Sequence, residues 1–230
     1  MRIIFCRHGH PDYKLDCLTE LGHRHAAAAA QRLKDEGISE IYASPMGRAQ
    51  ETAQYTADLL GLPIETLPFM REIRFRAIEE EEELPHNGNP WLNVVDMVTE
   101  GKSIQRSDWQ TEYPFCRSRI VESVKTITEG FDAWLSSIGY TRDGDYYRVG
   151  ANTRKTIALF SHAGSSTAAI CRLFNLPYLY ACKTLSPDFT AITVVSLPDQ
   201  EGDLVSPCFE IAMDARHIRG LELEAVPDSV

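Results

Sequence analysis

The chain opens on an unbroken apolar run, Ile3-Ile4-Phe5-Cys6, which is the pattern of a strand buried on both faces. It ends abruptly in Arg7-His8-Gly9, and the polar, aperiodic residues 10–18 (HPDYKLDCL) predict a loop. Thr19 is a fitting N-cap for the helix formers around Ala26–Ala30 and Gln31-Arg32-Leu33-Lys34, with Gly37 as the expected stop. Residues 38–43 (ISEIYA) predict a short strand. Ser44-Pro45 reads as a second helix start, Ser as N-cap and Pro at the first helical position. That helix should run to about Leu60 and stop at Gly61, and residues 63–67 predict a third strand.

After Glu72 the pattern changes. Residues 73–116 carry a run of glutamates at 79–83, a Pro/Asn/Gly-rich break and a short apolar patch, WLNVVDMV. Helical periodicity returns over 117–138, with Ile120, Val121, Val124, Ile127, Phe131, Trp134 and Leu135 on one face. Residues 139–149 predict a hairpin around Asp143-Gly144. Thr156–Phe160 (TIALF) is the most strand-like run, followed by Ser161-His162-Ala163-Gly164 and a short helix over 165–174 ending near Pro177. Residues 189–197 and 208–213 add two strands, and the acidic stretch 222–230 predicts a loose tail. Alternating strands and helices imply an α/β fold with a mostly parallel sheet. The whole chain, 1–230, reads as one domain, with 73–150 as a cap-like insert over the sheet edge.

Composition narrows the functional classes. The 230 residues, 43% hydrophobic, suffice for the core of one ordinary domain. A net charge of −10 offers no basic stripe, which argues against nucleic acid as the main partner. Any anion site must be assembled from local cations. The cysteines at 6, 17, 116, 171, 182 and 208 show no C-x-x-C pair and no zinc-like spacing, so free thiols in a reducing cytoplasm are expected. No apolar run is long enough to span a bilayer, and a strand beginning at Arg2 leaves no room for a signal peptide.

Histidine stands at two predicted strand ends, His8 and His162. In a parallel sheet both fall on the carboxyl edge, where ligands bind. A neutral imidazole is a competent nucleophile toward phosphorus, and its phosphoramidate can be hydrolysed again. A second imidazole and two guanidiniums can clamp the transferring oxygens. Arg48 falls in the first turn of the second helix, where N–H groups and the dipole also favour an anion. Gly164-Ser165-Ser166 opens another helix and offers the same donors. His10 has two readings, a pocket residue or a surface-loop residue.

Together these stretches resemble the histidine phosphatase superfamily. Phe5-Cys6-Arg7-His8-Gly9 is similar to its signature, and residues 43–53 (ASPMGRAQETA) to its second motif. Leu18-Thr19 with Gly22, Arg71-Glu72-Ile73 and Ser161-His162-Ala163-Gly164 resemble its helix opening, its acid segment and its late histidine motif. The resemblance covers residues 2–73 and 156–196 and hardly touches the insert. It implies a three-layer α/β/α sandwich and metal-independent phosphatase chemistry without a cofactor. It implies His8 as the phosphorylated nucleophile, Arg7, Arg48, His162 and Gly164 as phosphate-side groups, and Glu72 as the proton donor. The sequence departs from the family pattern at His10-Pro11-Asp12-Tyr13-Lys14 and at Arg74-Phe75-Arg76-Ala77, with Glu79 or Glu80 as fallback acids. The run 79–83 itself reads as a solvated face or a helix start, and its charge would repel a nearby polyanion unless Arg71, Arg74 and Arg76 offset it.

The expected activity is hydrolysis of a small phosphorylated metabolite, with Trp91, Trp109 and Tyr113 available to close over the leaving group. Two alternatives stand. A phosphoglycerate-type mutase would carry a paired-arginine motif that is not found here, Arg117 and Arg119 being the nearest candidates, so a phosphatase is preferred. A catalytically silent module would bind phosphorylated ligands or partners without turnover.

Overall fold

The opening strand, β1 (Arg2–Arg7), is buried on both faces and divides the core in two. The computed structural model describes residues 1–151 and 154–221; the expected loose tail at 222–230 lies outside the described residues. After β1 come β2 (Pro11–Asp12), β3 (Cys17–Leu18), α1 (Glu20–Leu33), β4 (Glu40–Ala43), α2 (Gly47–Leu60) and β5 (Ile64–Thr66). Then follow α3 (Pro90–Thr99), α4 (Ile120–Ser137), β6 (Tyr140–Asp143), β7 (Tyr146–Val149) and β8 (Thr156–Ser161). The chain finishes with α5 (Ala163–Phe174), α6 (Tyr178–Thr184), β9 (Ile192–Ser196), β10 (Leu204–Val205) and β11 (Cys208–Asp214).

Six strands form the central sheet in the order β11-β9-β1-β8-β4-β5. The neighbours β1, β8, β4 and β5 are parallel, while β9 runs antiparallel to β1 and to β11. Side chains alternate across a strand. Ile3 and Phe5 therefore join Ile157, Leu159, Phe131 and Leu135 on one face, and Ile4 and Cys6 join Ala158, Phe160, Ala29, Leu33, Ala53 and Ala57 on the other. The second face carries α1 and α2, whose alanines let the helices lie close to the sheet; the first carries α4 and α5. This is the expected α/β/α layering around a mostly parallel sheet.

Local signals were read with small displacements. Thr19 does cap α1, accepting from the Gly22 N–H at 3.1 Å, but α1 ends at Leu33, before Gly37. Ser44-Pro45 does not open α2 directly: the helix begins at Gly47, and Ser44 Oγ accepts from the Met46 N–H at 3.3 Å. Gly61 ends α2 in the left-handed region, as expected. The 10–18 loop contains the small β2–β3 ladder. The WLNVVDMV patch is helix α3, capped by Asn89, whose side chain accepts from the Leu92 N–H at 3.2 Å. The 140–149 hairpin turns at Gly144-Asp145. Within the stretch 73–150, α4 packs into the body of the domain, with Phe131 6.1 Å from Phe5 between ring centroids.

Phe131 is fully buried and also meets Trp134 at 5.4 Å. Phe131→Ala should cost about 3–5 kcal/mol. Urea denaturation should show a lower midpoint at unchanged m-value.

Candidate active site

Three parallel strands end level with one another. Arg7 pairs with Ser161, and Ala43 with Phe160, so His8, His162 and Ser44 leave the sheet side by side. The backbone continues the ladder past the strands: His8 N–H donates to Ser161 O at 2.9 Å, and Ser44 N–H to Phe160 O at 2.9 Å. The His8 and His162 rings stand 5.1 Å apart, edge on face. Gly9 then lets the chain turn against α1; a Cβ there would lie 2.5 Å from Gly22 O. Its tight neighbour is the helix backbone rather than a ligand.

His8 is 1% exposed. Its Nδ1 lies 2.7 Å from the Gly9 carbonyl, which can only accept, so Nδ1 carries the proton and Nε2 keeps its lone pair. Burial, with the nearby charges of Arg7 and Arg48, holds its pKa down to about 3, so the ring is neutral at physiological pH. His162 is fully buried, and its pKa is pushed well below normal by burial and then by His8, Arg48 and Arg7. Its Nε2 sits 2.7 Å from Ser44 Oγ. With the serine hydroxyl donating there, the proton of His162 rests on Nδ1, a buried atom with no protein partner.

The two guanidiniums are held from behind. Arg7 Nη1 donates to Pro187 O at 2.8 Å, and the group lies 4.3 Å above the centroid of Phe189. Phe189 also meets His8 at 6.0 Å and His10 at 5.2 Å. The next residue, Thr190, is fully buried at φ 51°, an unusual conformation for a β-branched residue. Its N–H donates to His8 O at 3.3 Å, and its Oγ1 meets His217 Nε2 at 3.0 Å. Arg48 pairs through Nη1 with Asp16, whose other oxygen accepts from the Gly47 N–H at 2.9 Å. Tyr13 lies 5.3 Å from the Arg48 guanidinium and 6.4 Å from the His8 ring. The Nε atoms of Arg7 and Arg48 are buried without a protein partner. Buried donors of this kind, clustered around two neutral imidazoles, suit an anion.

Glu72 reaches the same place from the loop after β5. Its Oε1 accepts from the N–H groups of Ile73 at 2.9 Å and Ser165 at 3.2 Å, and Oε2 accepts from Gly164 at 3.4 Å. Burial raises its pKa above the usual carboxylate value, against the pull of these N–H groups and of Arg48 and Arg7. A Cβ at position 164 would lie 2.5 Å from Glu72 Oε1, so the bare backbone of Gly164 makes room for the carboxyl.

His8, His162, Arg7, Arg48 and Glu72 thus converge. Other expectations need correction. The N–H of Gly164 faces Glu72 rather than a phosphate. The first N–H of α2 is taken by Asp16. His10 is not a free loop residue, since its Nδ1 bonds Thr19 Oγ1 at 2.9 Å. Glu79 and Glu80 line a separate hollow with Arg76 and Glu83, away from the histidines. The cavity beside Glu72 is lined by Phe69, Ile78, Val121 and Ile127 and not by the three expected aromatics. Trp109 is buried against Tyr178 at 5.0 Å, Trp91 meets Phe75 at 6.4 Å, and Tyr113 is exposed. Ser44, Asp16, Tyr13 and Phe189 were missed as site residues. Ser44 had a signal, its place at the end of a parallel strand beside two histidine-bearing ones.

Fold and site together define an α/β protein with a buried histidine pair, flanked by two arginines, at the carboxyl edge of its sheet. Residues 3–208 match the family model of the Histidine phosphatase superfamily (branch 1), and the chain belongs to that superfamily. A relative named "Probable phosphoglycerate mutase GpmB", from Yersinia pestis (strain Pestoides F), is 36% identical over 124 residues. That match covers 53% of this chain and 58% of the relative, so the chain spans little more than half of that protein. Among solved structures, a mutant phosphoserine phosphatase of Entamoeba histolytica in complex with phosphoserine superposes with a TM-score of 0.61 at 20% identity, covering 94% of this chain and 98% of that one. A mycobacterial glucosyl-3-phosphoglycerate phosphatase gives 0.61 at 19% identity, covering 92% and 98%. At these identities the likeness is one of fold.

Phe189 supports the guanidinium of Arg7 from below. Phe189→Leu should weaken binding of inorganic phosphate, measured by calorimetry, by about three- to tenfold, the scale of one cation–π contact. Phe189→Tyr should restore it, and equal affinity in all three proteins would show that the ring does not seat Arg7.

Proposed function

We propose that the chain is a phosphatase that hydrolyses a small phosphomonoester through a phosphohistidine at His8. One observation carries the reading: the Gly9 carbonyl fixes the proton of His8 on Nδ1, which leaves a neutral Nε2 beside two guanidiniums and a second imidazole. In the first half-reaction Nε2 attacks phosphorus and the ester P–O bond breaks. Arg7, Arg48 and Nδ1–H of His162 hold the phosphoryl oxygens, and the Glu72 carboxyl gives its proton to the leaving alkoxide. In the second half, the Glu72 carboxylate takes a proton from water as the water attacks the phosphohistidine. Phosphate leaves, and His8 and Glu72 return to their starting forms. Every step uses side chains; among the described residues no group of three or more His, Cys, Asp or Glu could hold a metal.

The superfamily also holds mutases, which return the phosphoryl group to a bound product. The same five residues would serve. We favour water as the acceptor because the cavity that Glu72 lines is open on one side, where Arg71, Arg74 and Ile78 are exposed. Support for a silent module is weakened by Glu72, which stands where an acid is needed.

His8→Ala should abolish hydrolysis of p-nitrophenyl phosphate, and EDTA should leave the wild-type rate unchanged. Acid-labile, base-stable label on quenched wild-type enzyme would mark the phosphohistidine; an acid-stable adduct would exclude it. Exchange between isomeric phosphoglycerates would replace hydrolase by mutase. Glu72→Gln should slow an alkyl phosphate at least about tenfold more than p-nitrophenyl phosphate, whose phenolate needs little protonation. The pH profile follows from the same group. A raised pKa keeps Glu72 protonated to higher pH, so kcat for the alkyl ester should fall as pH rises through that pKa, and the alkaline limb should vanish in Glu72→Gln. Because His8 stays neutral down to about pH 3, its protonation should not limit activity at pH 5.

A further inference from the structure

We propose that the cavity beside Glu72 selects phosphomonoesters whose leaving group combines an apolar body with a carboxylate, the carboxylate being held by Arg71 and Arg74. This rests on the phosphatase reading, because it assumes that the leaving group lies next to the acid that protonates it. The cavity has a volume of about 640 Å³ and lies between residues 68–78 and the first half of α4. That is ample for a small metabolite.

Two features of its wall stand out beside the uncharged polar residues Gln110, Ser118, Ser123 and Thr126. Phe69, Ile78, Val121 and Ile127 supply an apolar surface. Arg71, Arg74 and Arg119 supply three guanidiniums. In a chain with 33 acidic and 23 basic residues, arginines find carboxylates easily. Arg106, Arg148, Arg172 and Arg216 each do so on other parts of the surface. Among the described residues, the side chains of Arg71 and Arg74 have no hydrogen bond or ion pair. Arg119 donates to the carbonyls of Ala77 and Ile78 at 3.1 and 2.9 Å, which fixes its position without cancelling its charge. Besides Glu72, Glu122 is the carboxylate in the lining. Arg71 directly precedes Glu72 in the chain and lines the same cavity.

A neutral polyol would leave these guanidiniums unmatched and would gain little from the apolar wall. An anionic leaving group with a hydrocarbon or aromatic middle uses both. The guanidinium fork matches a carboxylate in particular, through paired N–H···O bonds.

The test compares 4-carboxyphenyl phosphate with 4-carbamoylphenyl phosphate, which has the same shape and no second charge. The wild-type kcat/KM should be about tenfold higher for the carboxylate, the value of one charge-assisted contact at a partly exposed site. In the Arg71→Gln, Arg74→Gln double variant that ratio should fall to about one, and circular dichroism would confirm folding. Equal kcat/KM for the two esters in the wild-type chain, or a ratio that survives the double substitution, would overturn the inference and leave the phosphatase reading intact. Hydrolysis of neither ester would overturn the phosphatase reading itself, and the inference with it.

Discussion

The register between β1, β8 and β4 is the constraint on which the site depends. Parallel strands that stop at the same level must release their next residues at the same edge, and here those residues are His8, His162 and Ser44. The Ser44 hydroxyl then orients one imidazole and the Gly9 carbonyl the other. Burial holds both rings neutral, and a charge on His8, 5.1 Å away, would make protonation of His162 harder still. The arginines add to this: a positive neighbourhood makes protonation of either ring still less favourable and leaves the lone pair of His8 free for chemistry.

The acid is seated by a different device. Glu72 lies on a loop between a short edge strand and the 73–119 region, with little regular structure to fix it. The N-terminal N–H groups of α5 do so instead, through Gly164 and Ser165. The helix that begins just after His162 thereby brings the carboxyl to the same edge as that histidine.

The sheet and its helices were legible because their signals are local. Apolar runs such as Ile3–Cys6 and Thr156–Phe160 announce buried strands, and Thr19 and Gly61 mark helix ends by their own chemistry. Helix α3 was hidden because its apolar patch is short and its cap, Asn89, lies within a Pro/Asn/Gly-rich stretch that reads as a loop. In the site, residues at strand ends could be inferred from the α/β pattern alone. Asp16 and Phe189 could not. Each acts through long-range contacts, Asp16 with Arg48 and Gly47 and Phe189 with Arg7, His8 and His10, and nothing near them in sequence marks those partners.

The Asp16 carboxylate has a consequence for which anions can enter. It already pairs with Arg48 Nη1 and holds the first N–H of α2, so on the proposed reading a phosphoryl group meets a guanidinium that has one negative partner and a free Nε. The net Coulomb gain depends on how much more charge the newcomer brings. On that reading a doubly charged phosphoryl group attracts the guanidinium more strongly than the carboxylate does, whereas a singly charged sulfate ester does not. Asp16, a neighbour of the arginine, would then weight the site toward anions of higher valence.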